Sequence, residues 1–236
     1  MAAKTHETTL LRASLLCEDT GVFRFDRPFG FEAKPAQWLR LTLDTAEGPQ
    51  TKTFSDAAAP DELEIDIGTR LTGSAFKNAL KALAPGDQVT IAGPGGRLAA
   101  PDGASRIAFL MGGVGITPGR SIIRDRVRRA DDSAKLCLFS GSNTDDCVLF
   151  GHEFDDYATR LPWFKLVPVI ARPSAGWTGE SGFITADTVR RHIDPDDGWH
   201  FLVAGPPSMI GPMRAVLADL GVGSDRASFE EFSGYA

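Results

Sequence analysis

The chain has 236 residues, a formal net charge of −6 and 24% charged residues, which is ordinary for a globular protein of one or two domains. The acidic balance argues against nucleic-acid binding, which needs a basic surface, and the longest apolar run, Ile107–Ile116, is shorter than the roughly 18 residues of a membrane-spanning helix. The N-terminal residues lack the apolar core of a secretory signal, so we expect a cytoplasmic protein without membrane insertion.

Metal-binding patterns are missing from the sequence. Cys17, Cys137 and Cys147 are widely spaced and include no Cys-x-x-Cys pair, and the four histidines include no His-x-x-x-His pair. These spacings argue against a zinc site and against an iron–sulfur cluster held by four thiolates. We therefore predict no metal site in this chain.

Up to about residue 100 the sequence is typical of short antiparallel strands separated by turn residues. Along residues 39–44 leucines alternate with polar side chains, as in a half-buried strand. Ser74 is a good N-cap for one helix, which Pro85 ends. We predict strands at Thr9–Leu16, Val22–Asp26, Trp38–Leu43, Gln50–Phe54, Glu62–Ile67 and Gln88–Ile91. Six strands at this spacing indicate a six-stranded antiparallel β-barrel.

From Arg106 onward apolar strands alternate with helices, which predicts a doubly wound α/β parallel sheet covered on both faces. We predict strands at Ile107–Met111, Leu136–Ser140, Phe164–Ala171, Phe201–Ala204 and Arg226–Phe232, and helices at residues 120–130, 152–160, 186–192 and 207–220. Leu98–Ser105 has the composition of a linker. We therefore predict two domains, residues 1–102 and residues 103–236.

Two strand-to-helix turns of the second half contain glycine. Gly113 and Gly115 follow the first apolar strand, with Thr117 and Pro118 in the first turn of the next helix. Glycines let the backbone approach a pyrophosphate, and the helix N-terminus supplies N–H groups and a favourable dipole. The alternative is a tight turn without a ligand. A second turn, Gly205–Pro207, shares the same crevice if its strand lies beside the topological switch point.

Motifs along nearly the whole chain resemble those of the ferredoxin–NADP reductase superfamily of flavin reductases. Lys52-Thr53-Phe54-Ser55 resembles the Arg-x-Tyr-Ser flavin motif, and Gly73-Ser74-Ala75-Phe76 resembles the flavin phosphate turn. Gly113–Pro118 matches the nicotinamide-nucleotide motif, and Gly205–Pro207 matches Cys-Gly-Pro-Pro with Ala204 in place of the cysteine. Glu230–Tyr235 resembles the Glu-x-Phe ending with a terminal aromatic residue.

The resemblance implies a flavoprotein reductase that takes a hydride from NADH or NADPH, with FAD favoured over FMN as the bound cofactor. Ser55 and Glu230 are the implied catalytic residues, with Ser55 donating a hydrogen bond to flavin N5. Lys52 supplies a cation for the flavin phosphate, and Phe54 packs beside the ribityl chain or ring. The implied cofactor-binding residues are Lys52, Thr53, Phe54, Ser55, Ile67, Gly73, Ser74, Ala75, Gly113, Gly115, Thr117, Pro118, Ser142, Asn143, Gly205, Pro206, Phe232 and Tyr235.

Two of these positions have an alternative interpretation. Phe232 or Tyr235 is expected to cover the flavin face that the nicotinamide must reach. The alternative for both aromatic residues is packing at the edge of the sheet.

The segment after the second parallel strand, Ser140–Asp146, favours NADH over NADPH. A 2′-phosphate needs a nearby cation, whereas this segment has none and contains Asp145 and Asp146. Ser142 and Asn143 can instead bond the ribose hydroxyls. A basic residue supplied from elsewhere in the chain would reverse this preference.

The sequence also bears on the electron acceptor. The absence of a cysteine cluster implies a separate acceptor, and Arg120, Arg124 and Arg128 on one helix face are suited to docking a small acidic electron-carrier protein, such as an iron–sulfur protein. The alternative for this face is a solvated helix balanced by neighbouring aspartates. The alternative functions are direct reduction of ferric chelates, quinones or free flavin, and a non-catalytic redox-sensing module.

Overall fold

The computed structural model describes residues 4–232, and these form two compact units. Unit 1 comprises the residues up to Arg97 together with Arg120–Arg128, and unit 2 comprises Leu98–Gly119 together with the residues from Arg129 onward. Helix α2 (Ile116–Arg128) therefore contributes its first residues to unit 2 and the remainder to unit 1. Among the described residues, none of the helices combines the length and apolar character needed to cross a membrane.

Unit 1 is a six-stranded antiparallel sheet with strand order β4-β3-β6-β1-β2-β5, which confirms the predicted first half. Strand β1 pairs with β6 through its first residues and with β2 through the rest, with register shifts that let it curl. The strands are β1 (Thr5–Cys17), β2 (Thr20–Asp26), β3 (Trp38–Thr45), β4 (Gly48–Ser55), β5 (Glu64–Arg70) and β6 (Gln88–Gly95).

Alternation along the strands builds the core of unit 1. Leu39, Leu41 and Leu43 of β3 are at most 4% exposed, whereas Arg40 between them is exposed. Helix α1 (Ala75–Ala82) begins where predicted, because the Ser74 side chain accepts a hydrogen bond from the backbone N–H of the third helical residue. Its apolar face packs into this core.

Unit 2 is a parallel sheet with strand order β10-β9-β8-β7-β11-β12, flanked by helices, as predicted for a doubly wound domain. The chain moves outward from β7 to β10 and then crosses to β11 on the other side of β7, so the topological switch lies at β7. The strands are β7 (Arg106–Gly112), β8 (Lys135–Ser142), β9 (Phe164–Ile170), β10 (Glu180–Ser181), β11 (His200–Gly205) and β12 (Ala227–Glu231), and the helices after α2 are α3 (Gly151–Arg160), α4 (Ala186–His192) and α5 (Pro207–Asp219).

Two details of unit 2 differ from the prediction. Helix α2 begins at Ile116 rather than Arg120, because a 3-10 turn at Gly113–Gly115 leads directly into it. Pro118 is accommodated in the first turn, where backbone N–H groups have no helical partner. Strand β10 was not predicted, because two residues are too few for an alternating pattern.

Candidate functional site

The end of β4 in unit 1 carries the residues of the flavin-like motif. Lys52 and Thr53 are exposed, whereas Phe54 is 4% and Ser55 3% exposed. The Ser55 Oγ atom is buried and has no hydrogen-bond partner among the described residues. A buried hydroxyl without a partner is costly, so this atom fits a donor to a polar cofactor atom.

Phe54 is a core residue. Its ring stacks on Phe76 of α1, with centroids 5.8 Å apart, and the Lys77 Nζ atom lies 4.5 Å from its centroid. We expected the ring to offer an aromatic face to the flavin, and the structure instead packs it between β4 and α1. Ile67 of β5 is also a core side chain, so only its backbone is available to a ligand.

The turn before α1 is open, in keeping with the predicted phosphate turn. Gly73 has a φ of +78°, and no atom lies within 4 Å of the place where a Cβ would be. Gly73 and Ser74 are exposed and Ala75 is half-buried, so the N-terminus of α1 is accessible. Such a helix end favours negative charge, which matches the flavin phosphates.

Sequence reasoning missed Lys77, in the first turn of α1. Its side chain is 8% exposed, and its Nζ atom hydrogen-bonds the Thr69 hydroxyl. Burial, and second the charge of Lys52, lower the pKa of Lys77 to about 8. No sequence signal marked this lysine, because a lysine that flanks the apolar positions of a helix ordinarily extends into solvent.

The three arginines proposed as a docking face on α2 are each paired with a carboxylate, and Arg120 does not lie on the surface. Arg120 is 3% exposed and donates hydrogen bonds to the Asp66 carboxylate and to the carbonyl oxygen of Ala57, both at 2.9 Å. Arg124 donates two hydrogen bonds to the Glu62 carboxylate, at 2.7 and 2.6 Å. These three arginines fix the loop that follows Ser55, and Arg128 binds Asp61 of the same loop at 2.7 Å.

Asp56 anchors the start of this loop. Its carboxylate accepts hydrogen bonds from Arg27 at 2.8 Å and from the backbone N–H groups of Ala58 and Asp66, at 2.9 and 3.2 Å. Burial raises the pKa of Asp56 to about 6, against the lowering effect of the Arg27 charge. Since Asp56 follows Ser55 directly, these bonds also hold the Ser55 backbone in place.

In unit 2 the two glycine turns meet at the carboxyl edge of the sheet. Strands β7 and β11 are parallel neighbours, and a Cβ on Gly115 would lie 2.5 Å from the Ala204 carbonyl oxygen. Gly113 is exposed with a φ of +53°. The Thr117 hydroxyl donates to the Val114 carbonyl at 2.9 Å and so stabilises the turn. The two turns therefore lie side by side at the switch point, which is the strand arrangement that the prediction of a shared crevice requires.

We expect Gly115→Ala to lower the free energy of unfolding by about 1–3 kcal/mol, because the new methyl group would collide with backbone rather than with a flexible side chain. Urea unfolding followed by circular dichroism measures this. Gly211→Ala is the matched control, since Gly211 lies in α5 with open space around it. Alanine there should raise the free energy of unfolding by at most about 1 kcal/mol. Equal effects of the two substitutions would contradict the steric argument.

Ser142, the last residue of β8, is half-buried, and Asn143, the first residue of the following loop, is exposed. Their carbonyl oxygens accept hydrogen bonds from the backbone N–H groups of Ala171 and Arg172, both at 2.9 Å. Asp145 accepts hydrogen bonds from the Ser174 hydroxyl and backbone, which lower the pKa of its carboxyl group. Asp145 therefore stays ionised, and the backbone of one basic residue, Arg172, lies beside this loop.

Glu230 lies beside the second glycine turn. It pairs with Ala204 in the register of β12 with β11, and its Oε2 atom is buried without a hydrogen-bond partner among the described residues. Burial raises the pKa of Glu230 to about 7. Phe232 is half-buried and donates its backbone N–H to the Gly205 carbonyl at 3.0 Å, and half-buried Pro206 is the N-cap of α5. Tyr235 lies outside the described residues.

One family of known proteins matches a continuous part of the chain. Residues 109–215 match the family described as "Oxidoreductase NAD-binding domain". The chain is 28% identical to NADH-cytochrome b5 reductase 1 of Kluyveromyces lactis, over 92% of this chain and 81% of that protein. It is 31% identical to one subunit of the Na(+)-translocating NADH-quinone reductase of Neisseria meningitidis, over 81% of this chain. The chain spans about half the length of that relative.

Solved structures share the two-unit fold. A ferredoxin NADP+ reductase from Neisseria gonorrhoeae, with bound FAD and NADP, has a TM-score of 0.84 and 20% identity, over 97% of this chain and 99% of that one. The cytochrome b5 reductase domain of Ulva prolifera nitrate reductase also has a TM-score of 0.84 and 20% identity, over 96% and 97% of the two chains. These likenesses confirm the predicted fold class.

Proposed function

We propose that the chain is a member of the ferredoxin–NADP reductase superfamily that carries a hydride from NADH to bound FAD and passes the electrons to a separate acceptor. In this proposal residues 1–102 hold the flavin and residues 103–236 hold the nicotinamide nucleotide. The observation that carries it is the buried Ser55 Oγ atom, which has no hydrogen-bond partner among the described residues and ends the flavin-like motif.

Each unit contributes its own residues to this function. When bound, a flavin would accept a hydride at N5 and release electrons singly or in pairs. The Ser55 hydroxyl is assigned the hydrogen bond to that atom, while Lys52 and the N-terminus of α1 neutralise the flavin phosphates. The turn at Gly113–Gly115 receives the nucleotide pyrophosphate. Glu230 and the turn at Gly205 orient the nicotinamide and exclude water from it.

Anaerobic titration tests the activity itself. A yellow holoprotein should be bleached by NADH and regain its colour when an acceptor is added. A protein that binds no added FAD, or a bound flavin that NADH leaves oxidised, would overturn the proposal and favour a non-catalytic redox-sensing module.

The nucleotide preference follows from the loop after β8. The ionised Asp145 repels a 2′-phosphate, and Ser142 and Asn143 offer hydrogen-bonding groups to ribose hydroxyls. We expect NADH to reduce the flavin at least about tenfold more efficiently than NADPH, the factor that 1.4 kcal/mol of discrimination gives. Stopped-flow reduction with each nucleotide measures this ratio. Asp145→Asn should lower this ratio. If the wild type instead prefers NADPH and Arg172→Met abolishes that preference, Arg172 binds the 2′-phosphate.

Reoxidation of the reduced flavin can also be used to compare two classes of acceptor, proteins and small molecules. The relatives include a reductase named for cytochrome b5, a protein, and part of a reductase named for quinone. The pairing of Arg120 with Asp66 and of Arg124 with Glu62 neutralises two of the three charges that suggested an acidic protein carrier. Rates of reoxidation by a quinone, a ferric chelate and an acidic iron–sulfur protein distinguish the two classes.

A further inference from the structure

We propose that Met209 is a positioning residue for the nicotinamide nucleotide, because its thioether holds the ends of β7 and β11 at a fixed distance from each other. Met209 is half-buried and is the third residue of α5. The inference rests on the proposed binding of NADH in unit 2, and it adds to that site a residue that lies outside the glycine motifs.

The side chain of Met209 lies against the last residues of two neighbouring parallel strands. A Cβ built on Gly205, which ends β11, would lie 2.7 Å from the Met209 Sδ atom. The Sδ atom is also the nearest neighbour of a Cβ built on Gly112, which ends β7. At both positions the three nearest atoms all belong to Met209. The thioether therefore fills the space that a side chain would need at the end of either strand.

This packing explains why both strands end in glycine. Gly112 has a φ of −126°, and the φ of Gly205 also lies outside the left-handed region, so the backbone conformation requires glycine at neither position. Glycine in a strand commonly marks the close approach of another group, and here that group is Met209. Gly113 differs, because its φ is +53° and no described atom lies within 4 Å of a Cβ built on it. Gly113 is thus open to a ligand, whereas Gly112 and Gly205 make room for the thioether.

The place of the contact connects it to nucleotide binding. Gly112 directly precedes the turn to which the proposed function assigns the pyrophosphate, and Gly205 directly precedes the N-terminus of α5, beside the nicotinamide. A side chain in contact with both strand ends fixes the position of one turn relative to the other. Methionine suits this task, since its unbranched, polarisable side chain fills irregular gaps. Misplacement of binding groups by about 1 Å can cost about 100-fold, so removal of the thioether should weaken nucleotide binding.

Titration calorimetry with NAD+ tests the proposal on the FAD-saturated protein, and fluorescence titration of the apoprotein measures the affinity for FAD. We expect Met209→Ala to weaken NAD+ by about 10- to 100-fold and to leave the FAD dissociation constant within about twofold. Met209→Leu keeps most of the volume and should stay within about threefold of wild type for NAD+. Met213→Ala is the matched control, since Met213 lies one turn further along α5 and is 3% exposed. It should lower the unfolding midpoint but leave NAD+ within about twofold.

Gly112→Ala tests the same contact from the other side. The new methyl group would displace the Met209 thioether without removing it, so this substitution alone should also weaken NAD+. In the Met209→Ala background the methyl group has room, and there it should change NAD+ affinity by at most about twofold.

Three results would overturn the positioning role alone. These are wild-type NAD+ affinity in Met209→Ala, an equal loss in Met213→Ala, and an equal effect of Gly112→Ala in the two backgrounds. A wild-type protein that binds FAD but no NAD+ would overturn the proposed function as well.

Discussion

Asp66→Asn should lower the free energy of unfolding of this protein by about 3–5 kcal/mol, the cost of removing one partner from a buried ion pair. The Asp66 carboxylate binds Arg120 at 2.9 Å and Arg24 at 2.8 and 2.9 Å, and the Asp66 and Arg120 side chains are each 3% exposed. An amide in this place leaves the buried Arg120 guanidinium without its carboxylate. Urea unfolding followed by circular dichroism at neutral pH measures the loss.

The same three arginines provide a matched control. Asp61 binds Arg128 at 2.7 Å, but the two side chains are 54% and 40% exposed, so Asp61→Asn should cost less than about 1 kcal/mol. Comparable losses in the two variants would show that burial does not decide the strength of these pairs.

Acid should reduce the difference between wild type and Asp66→Asn. Burial raises the pKa of Asp66, but hydrogen bonds and charges of Arg24 and Arg120 outweigh it, so the pKa falls below its ordinary value of 3.8. The folded state therefore binds the proton more weakly than the unfolded state, and the carboxylate stabilises the fold above pH 3.8. This contribution is lost as the pH falls below 3.8, and unfolding curves at successive pH values follow it.

The sequence predicted the helices and strands better than the contacts of their side chains, because many of those contacts join residues that are far apart along the chain. Local signals placed Ser74 at the N-cap of α1 and Ala186–His192 in α4, because capping and apolar spacing act within a few residues. The same spacing put Arg120 and Arg124 on one helix face. It could not identify their partners, because Asp66 and Glu62 are 54 and 62 residues away.

The candidate site also combines features that local sequence signals predict with features that depend on tertiary packing. The glycine turns follow from strand–turn–helix order, and the paired register of β7 and β11 brings them together. The burial of Phe54 and Lys77 depends on how α1 packs against β4, which no local pattern contains. A lysine beside an apolar helix face is ordinarily solvated, so burial of this one was visible only in the fold.

Glu230→Gln should produce opposite effects on catalysis and on stability. With a pKa raised to about 7 by burial, Glu230 becomes ionised as the pH rises through neutrality. In the proposed reaction the nicotinamide gains positive charge as it gives up its hydride, and a carboxylate beside it would stabilise that charge. We therefore expect the wild-type rate of flavin reduction to rise with a midpoint near pH 7, and the glutamine variant to be about 10- to 100-fold slower at pH 8 without that rise.

The same substitution should raise the free energy of unfolding relative to wild type at neutral and alkaline pH. The folded state holds the proton of Glu230 up to about pH 7, whereas the unfolded chain releases it near 4.5, so the wild type loses stability as the pH rises through this window. Glutamine does not titrate, so the variant should become up to about 3 kcal/mol more stable than wild type by pH 8, the two converging below pH 4.5. Glu231→Gln, next to it and exposed, is the control for both measurements.

Stopped-flow reduction by NADH and urea unfolding across pH 4–9 provide the two readouts. Ser55→Ala separates the roles of the two residues, since losing its hydroxyl should slow reduction at every pH and leave the midpoint in place. A glutamine variant with the wild-type pH–rate profile would remove Glu230 from the reaction. If its stability also followed the wild-type pH dependence, the buried carboxyl would not be the group that titrates near neutrality.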